Sequence, residues 1–235
     1  MKSPMSIGLA AASCLSMLAA LFMVFAYVPT EAEQGIVQRI FYFHLPCAWV
    51  AFLSFGIVAV AGALYLWLGH KIWDDLSYAA AELGMLFCTL VLVTGSIWAK
   101  PIWGVWWTWD SRLTTTFILW LLYGAYLLLR AFADDTDEVA RFAAVLGIAG
   151  VLDIPIIIVS VRLWRTIHPA VLLTRQGEHG LEDPRMVATL LVSLAAFTVL
   201  FVWLLWLRLG TLRLRARLAK LRKDLALLEI AGAHR

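Results

Sequence analysis

The sequence predicts an all-α integral membrane protein with six transmembrane helices. Of its 235 residues, 63% are hydrophobic and only 15% charged, whereas water-soluble domains average about 45–50% and about 25%. The apolar residues gather into six runs, each near the roughly 20 residues that a helix needs to cross a bilayer. A backbone in hydrocarbon must satisfy its own hydrogen bonds, which makes the α-helix the spanning structure.

The six runs are Ile7–Val28, Pro46–Leu68, Ala79–Trp98, Leu113–Phe132, Val139–Arg162 and Met186–Leu207. The first, second and sixth contain no charged residue. The first follows a single Lys2 and is longer than the roughly 7–15 residues of a signal-peptide core, so it reads as a retained span. The third holds Glu82 near its terminal-side end, within reach of the interface, and no role is assigned to it. The fifth holds Asp153 in Leu152–Pro155. A charge at membrane depth points to function by default. Asp153 could pair with Arg162, orient a ligating histidine, or serve only as a kink or ion-pair partner beside Pro155.

Six spans put both termini on one side and the loops Pro29–Leu45, Ala99–Arg112 and Leu163–Arg185 on the other. The terminal side carries 12 Lys and Arg against 7 on the loop side, which places both termini in the cytoplasm. Without the tail the count is 4 against 7, so this orientation rests on Arg208–Lys223. The organisation is then a six-helix membrane domain, residues 1–207, and a basic tail, residues 208–235. Leu214, Leu218, Leu221, Leu225 and Leu228 recur in that tail at alternating spacings of four and three, one stripe of an amphipathic helix. Such a helix suits either an anionic lipid surface or a cytoplasmic partner. A net charge of +3 does not suggest nucleic acid. Cys14, Cys47 and Cys88 lie in apolar runs without a CxxC spacing and read as small buried residues.

Five of the 12 tryptophans, Trp98, Trp103, Trp106, Trp107 and Trp109, fall within the third loop and its borders, residues 98–114. Indoles gather at membrane interfaces in any case. This many in so short a stretch also suits a platform for a large planar apolar ligand, with Trp103, Trp106 and Trp107 on one face if the loop is helical. His44 and His168 share the side of this loop, and each stands beside a proline boundary, Pro46 and Pro169. They read as interfacial polar residues or as ligands flanking the platform. No third or fourth ligand at metal spacing supports zinc, whereas haem iron needs only one or two axial imidazoles. His179 is a weaker candidate in the polar stretch Gln176–Asp183, and His70 and His234 fall on the other side. Asp110 and Arg112 would cap the fourth span and pair. Arg112, Lys100, Arg162 and Arg165 are the cations available to carboxylates of a ligand. No phosphate-binding GxxxxGK[ST] loop and no nucleophile motif occurs, which argues for a carrier rather than an enzyme.

Residues Trp103–Thr114, WGVWWTWDSRLT, fill every fixed position of W-G-x-W-W-x-W-D-x-R-L-T. The chain thereby resembles the tryptophan-rich haem-handling membrane proteins of cytochrome c maturation. Its length, six spans, Phe43–Pro46 (FHLP) and Arg165–His168 (RTIH) resemble the six-span branch, CcmC, throughout. The resemblance implies a periplasmic tryptophan segment in a bacterial inner (cytoplasmic) membrane protein. It implies haem b as transiently bound cargo, with His44 and His168 as axial ligands of the iron and with Trp103, Trp106, Trp107, Trp109, Asp110 and Arg112 in the binding surface. It also implies work beside an ATPase subunit, a second permease subunit and a small single-span subunit, and delivery to a periplasmic haem chaperone. Two other functions remain open. A permease subunit moving haem itself would need a wide polar stripe that the spans lack, and a b-type haem electron-transfer subunit would carry histidines inside its spans, where there are none.

Overall fold

The computed structural model describes residues 4–133, 136–164, 181 and 183–233, and among them every extended element is a helix. α1 runs Pro4–Phe22 and continues as a π-helical turn, Met23–Tyr27. A 3-10 turn, Ile36–Ile40, leads into α2, Phe41–Leu68. The rest are α3 (Lys71–Trp103), α4 (Ser111–Phe132), α5 (Asp137–Val151), α6 (Asp153–Leu163) and α7 (Pro184–Ala233). Six helical stretches are long and apolar enough to cross a membrane, α5 and α6 together forming one of them.

α2 stands at the centre, packed on α3, α5 and α7. Its buried residues Cys47, Val50, Ser54, Val58, Ala61 and Tyr65 recur at three and four, which sums to one continuous face. Lipid gives two apolar helices no hydrophobic reason to associate, so close contact depends on small residues. A Cβ on Gly84 would lie 2.5 Å from the Phe55 ring, one on Gly147 2.7 Å from Val58 Cγ1, and one on Gly62 3.3 Å from the Ala144 carbonyl. In the core the Phe55 and Tyr123 rings stack at 3.7 Å. The Tyr123 hydroxyl donates to the Gly147 carbonyl at 2.8 Å, and Ser77 and Tyr126 share a hydrogen bond of 3.2 Å. Cys47 and Cys88 are buried, as expected, whereas Cys14 lies on the exposed face of α1.

The helix ends differ from the apolar runs for identifiable reasons. α2 starts five residues before Pro46, so His44 is its fourth residue instead of preceding it. The proline removes one N–H from the second turn, a loss the long helix absorbs. The fifth span breaks at Leu152, between α5 and α6. Pro155 cannot donate to the carbonyl of residue 151, and Asp153 Oδ2 is buried at the break with no hydrogen-bond partner among the described residues. The side chain of Arg162, a possible partner, lies outside the description.

Charges tie the helices together at the end remote from the tryptophan loop. Arg130 of α4 meets Asp74 of α3 at 2.9 Å, both side chains nearly buried. Glu82, given no role from sequence, takes a two-pronged ion pair from Arg208 of α7, through Nε and through Nη2. The guanidinium carbons of Arg130 and Arg208 sit 5.3 and 5.6 Å from the ring centre of Tyr78. At 50 residues α7 is about 75 Å long, far more than the roughly 30 Å of hydrocarbon. The sixth span and the basic tail are therefore one unbroken helix.

Candidate functional site

α2, α3, α4, α6 and α7 each bring one end to the tryptophan-loop side. His44 projects from the first turn of α2 against α3. Its Nδ1 lies 2.9 Å from Thr94 Oγ1, and its ring meets the Trp98 indole at 5.8 Å, nearly edge-on. The Thr94 hydroxyl has one proton, which it donates to the Leu90 carbonyl at 2.6 Å. This favours acceptance by Thr94 Oγ1 from His44, the tautomer with the imidazole proton on Nδ1 and the lone pair on Nε2. Gly95 leaves room for the ring, since a Cβ there would come within 3.2 Å of His44 Cε1. Trp98 is itself held by Gln34, to whose Oε1 its indole N–H donates at 3.1 Å, and by the Phe41 ring at 6.0 Å.

The tryptophan loop is not helical. α3 ends at Trp103 because Gly104 takes φ +74°, its N–H closing on the Lys100 carbonyl at 3.0 Å and its own carbonyl accepting from Lys100 Nζ at 2.8 Å. The chain then runs irregularly to Asp110, so Trp103, Trp106 and Trp107 do not form the single helical face expected of a helical loop. Trp106 and Trp109 are 58% and 73% exposed, enough to offer their ring faces to a ligand. Trp107 packs on Trp109 at 5.6 Å and on Phe117 at 6.2 Å, and Phe117 stacks on Trp120 at 5.9 Å. With Val93 and Ile97 of α3 these rings line an open apolar groove of about 540 Å³.

Asp110 is the N-cap of α4. Its Oδ1 accepts from the backbone N–H of Arg112 at 2.9 Å and of Leu113 at 3.1 Å, and its Oδ2 from the Thr108 hydroxyl at 3.1 Å. The expected cap is present, but it meets Arg112 through the backbone. The Arg112 side chain is half-buried beside that cap. Arg112 Nε, Trp107 Nε1, Ser111 Oγ and Thr114 Oγ1 are all buried without a hydrogen-bond partner among the described residues. Buried polar atoms are rarely left so. Ser111, Arg112 and Thr114 stand in the first turns of α4, whose positive end favours an anionic group.

His44 and the groove are not on one face. By the helical period Thr94, Gly95 and Trp98, which surround His44, lie nearly opposite Val93, Ser96 and Ile97, which line the groove. α3 stands between them. His168, with Arg165, Pro169, Arg175 and His179, lies outside the described residues. At the start of α7, side-chain and backbone hydrogen bonds from Arg185 hold the Asp183 carboxyl below the ordinary range.

Sequence reasoning passed over Thr94, Gly95 and Gln34. Thr94 and Trp98 are four apart on one helix face, a pairing visible in the sequence. That the face would meet His44, 50 residues earlier, requires the packing of α2 on α3.

The comparison with known proteins agrees with the tryptophan-rich motif. The profile of CcmC, heme exporter protein C, matches residues 1–224. Heme exporter protein C of Bradyrhizobium diazoefficiens is 38% identical over 196 residues, covering 83% of this chain and 74% of that protein. The protein of that name from Haemophilus influenzae is 37% identical over 183 residues, 78% of this chain and 74% of its own. That from Escherichia coli K12 is 36% identical over 189 residues, covering 80% and 75%. The match spans the six membrane helices, the tryptophan loop and most of the basic extension, and the chain belongs to the CcmC family, heme exporter protein C.

Proposed function

We propose that this protein binds haem b at the periplasmic face of the bacterial inner membrane and presents it to a periplasmic haem chaperone during cytochrome c maturation. It acts as a non-enzymatic subunit of an ATP-driven complex, with an ATPase subunit, a second permease subunit and a small single-span subunit as partners. His44 and His168 hold the iron from its two sides. Trp103, Trp106, Trp107 and Trp109 supply the apolar surface, and Arg112 with the N-terminus of α4 neutralises the propionates. Asp110 acts through the cap that fixes that N-terminus. Lys100 is engaged by the Gly104 carbonyl, which leaves Arg112 the better placed cation.

What supports this most directly is the relay from His44 to Thr94 to Leu90. Histidines that bind metals characteristically donate their second N–H to a fixed acceptor, which sets both tautomer and ring orientation. Here Nδ1–H is so used, and Nε2 keeps the lone pair that iron requires. The Arg112 guanidinium at the N-terminus of α4 suits carboxylates, and the exposed indoles suit a porphyrin face. The porphyrin belongs at the loop-side end of the bundle, where Trp106 and Trp109 expose their rings. Bound at that surface, it keeps an edge open to an incoming acceptor protein.

The test is the absorption spectrum of the purified protein loaded with haem, oxidised and reduced, with His44→Ala and His168→Ala beside it. Six-coordinate low-spin bands in the wild type, lost or turned high-spin in each variant, are expected. A wild type that stays colourless when produced with its partner subunits and supplied with haem would refute the proposal.

A further inference from the structure

Beyond Arg208, clamped to Glu82 against the bundle, α7 continues for about two dozen residues. From Arg213 to Leu228 each of its residues is exposed. Leu214, Leu218, Leu221, Leu225 and Leu228 are between 48% and 69% exposed, which leaves the seam uncovered among the described residues. At 100° per residue these leucines fall within an arc of about 80°. That is narrower than the stripe, at least about 100° wide, with which a helix covers a broad apolar surface, and it has the alternating three-four spacing of a two-helix seam. Arg215 and Arg222 flank the seam on one side and Arg217 on the other, so its borders are basic as far as Lys223, while Asp224 and Glu229 border its last turn.

We propose that this extension is half of a heterotypic coiled coil and that it docks an amphipathic helix of another subunit, one whose apolar seam is bordered by acidic residues. Charge separates this occupant from the two others. Two copies of this chain in one membrane point the same way, so self-pairing would be parallel and would set Arg217 of each copy against Arg222 of the other, like charge on like. An anionic bilayer attracts bases only within a Debye length of about 8 Å. The helix runs unbroken through Gly210 and carries Leu228 about 30 Å beyond Arg208, so most of the seam stands clear of the lipid. An acidic partner helix satisfies the leucines and the flanking arginines together.

The experiment uses the full chain in nanodiscs of neutral lipid and a fluorescent peptide of about three heptads with Leu at the seam and Glu at both borders. Anisotropy should show saturable binding that Leu218→Asp with Leu221→Asp abolishes. Arg217→Glu with Arg222→Glu should weaken it at least about tenfold and should create binding to the matching Lys-bordered peptide. These substitutions lie outside the bundle, and an unchanged thermal midpoint of the membrane domain checks that it stays folded. Absence of binding, or binding indifferent to the arginine reversal, overturns the proposal. So does disulfide cross-linking of Leu221→Cys between two copies co-reconstituted in one disc, which means self-pairing. Hydrogen-exchange protection of residues 213–228 that arises only when the discs contain anionic lipid overturns it in favour of membrane contact.

Discussion

Replacing Thr94 by valine keeps the volume of the side chain and removes the acceptor on which the tautomer of His44 depends. In the wild type Nδ1–H has Thr94 Oγ1 at 2.9 Å, and that oxygen is fixed by its own bond to Leu90 at 2.6 Å. In Thr94→Val the imidazole loses this fixed acceptor and can rotate or shift its proton to Nε2, the nitrogen that iron needs bare. Losing the partner of a histidine ligand costs about 10–100-fold in metal affinity. That equals about 1.4–2.8 kcal/mol at 1.4 kcal/mol per tenfold, within the range of about 1–3 kcal/mol for leaving a buried donor unmade. His44 is only half-buried, which favours the lower end. Haem titration in detergent should therefore show affinity reduced about tenfold or somewhat more, with part of the low-spin band turned high-spin. Thr94→Ser, which restores the oxygen, should recover both. The thermal midpoint of the haem-free protein separates ligand positioning from general damage and should change little. If Thr94→Val binds haem within about twofold of wild type with the same spectrum, while His44→Ala does not, the Thr94 bond has no part in ligation and the relay is packing alone.

Arg112→Met should lower haem affinity by about tenfold while leaving the low-spin spectrum intact, because it removes a charge-assisted contact to a carboxylate and leaves iron ligation untouched; titration with spectral readout checks both halves. Arg130→Met leaves the nearly buried carboxylate of Asp74 with only the exposed Lys71, 3.5 Å away, and should destabilise the protein toward the lower end of about 3–5 kcal/mol. Glu82→Gln should cost less, since Glu82 and Arg208 remain 29% and 20% exposed; thermal unfolding in one detergent gives the order. Gly147→Ala drives a methyl to 2.7 Å from Val58 Cγ1 and should cost about 1–3 kcal/mol. Gly56→Ala, with nothing within 4 Å, should be neutral or mildly stabilising in the same assay.

The spans were legible because a bilayer imposes a length on apolar runs, and all six runs are spans. What the runs could not show is where a helix stops once lipid no longer constrains it. The apolar run Met186–Leu207 ends at Arg208, yet the backbone has no reason to break there, and a Leu- and Arg-rich continuation with good helix propensity carries α7 on to Ala233. The same logic hid the start of α2, since Pro46 reads as a beginning in sequence while the structure tolerates it one turn inside. In the loop, Asp110 followed by Ser111–Thr116 announces a cap, and the cap is there. The condition attached to Trp103, Trp106 and Trp107 is not met beyond Gly104, whose positive φ ends α3 and takes Trp106 and Trp107 out of the helical period. Those three differences have one origin, local pattern without tertiary context, and the residues around His44 show the same limit from the other side. His44 and the tryptophan motif stand out as residue types whose chemistry is unusual where they occur. Thr94, Gly95 and Gln34 are ordinary in composition and gain their roles only from the register of α2 on α3. A site of this kind is therefore announced by its reacting groups, while the residues that give those groups their tautomer and orientation emerge only from the packing.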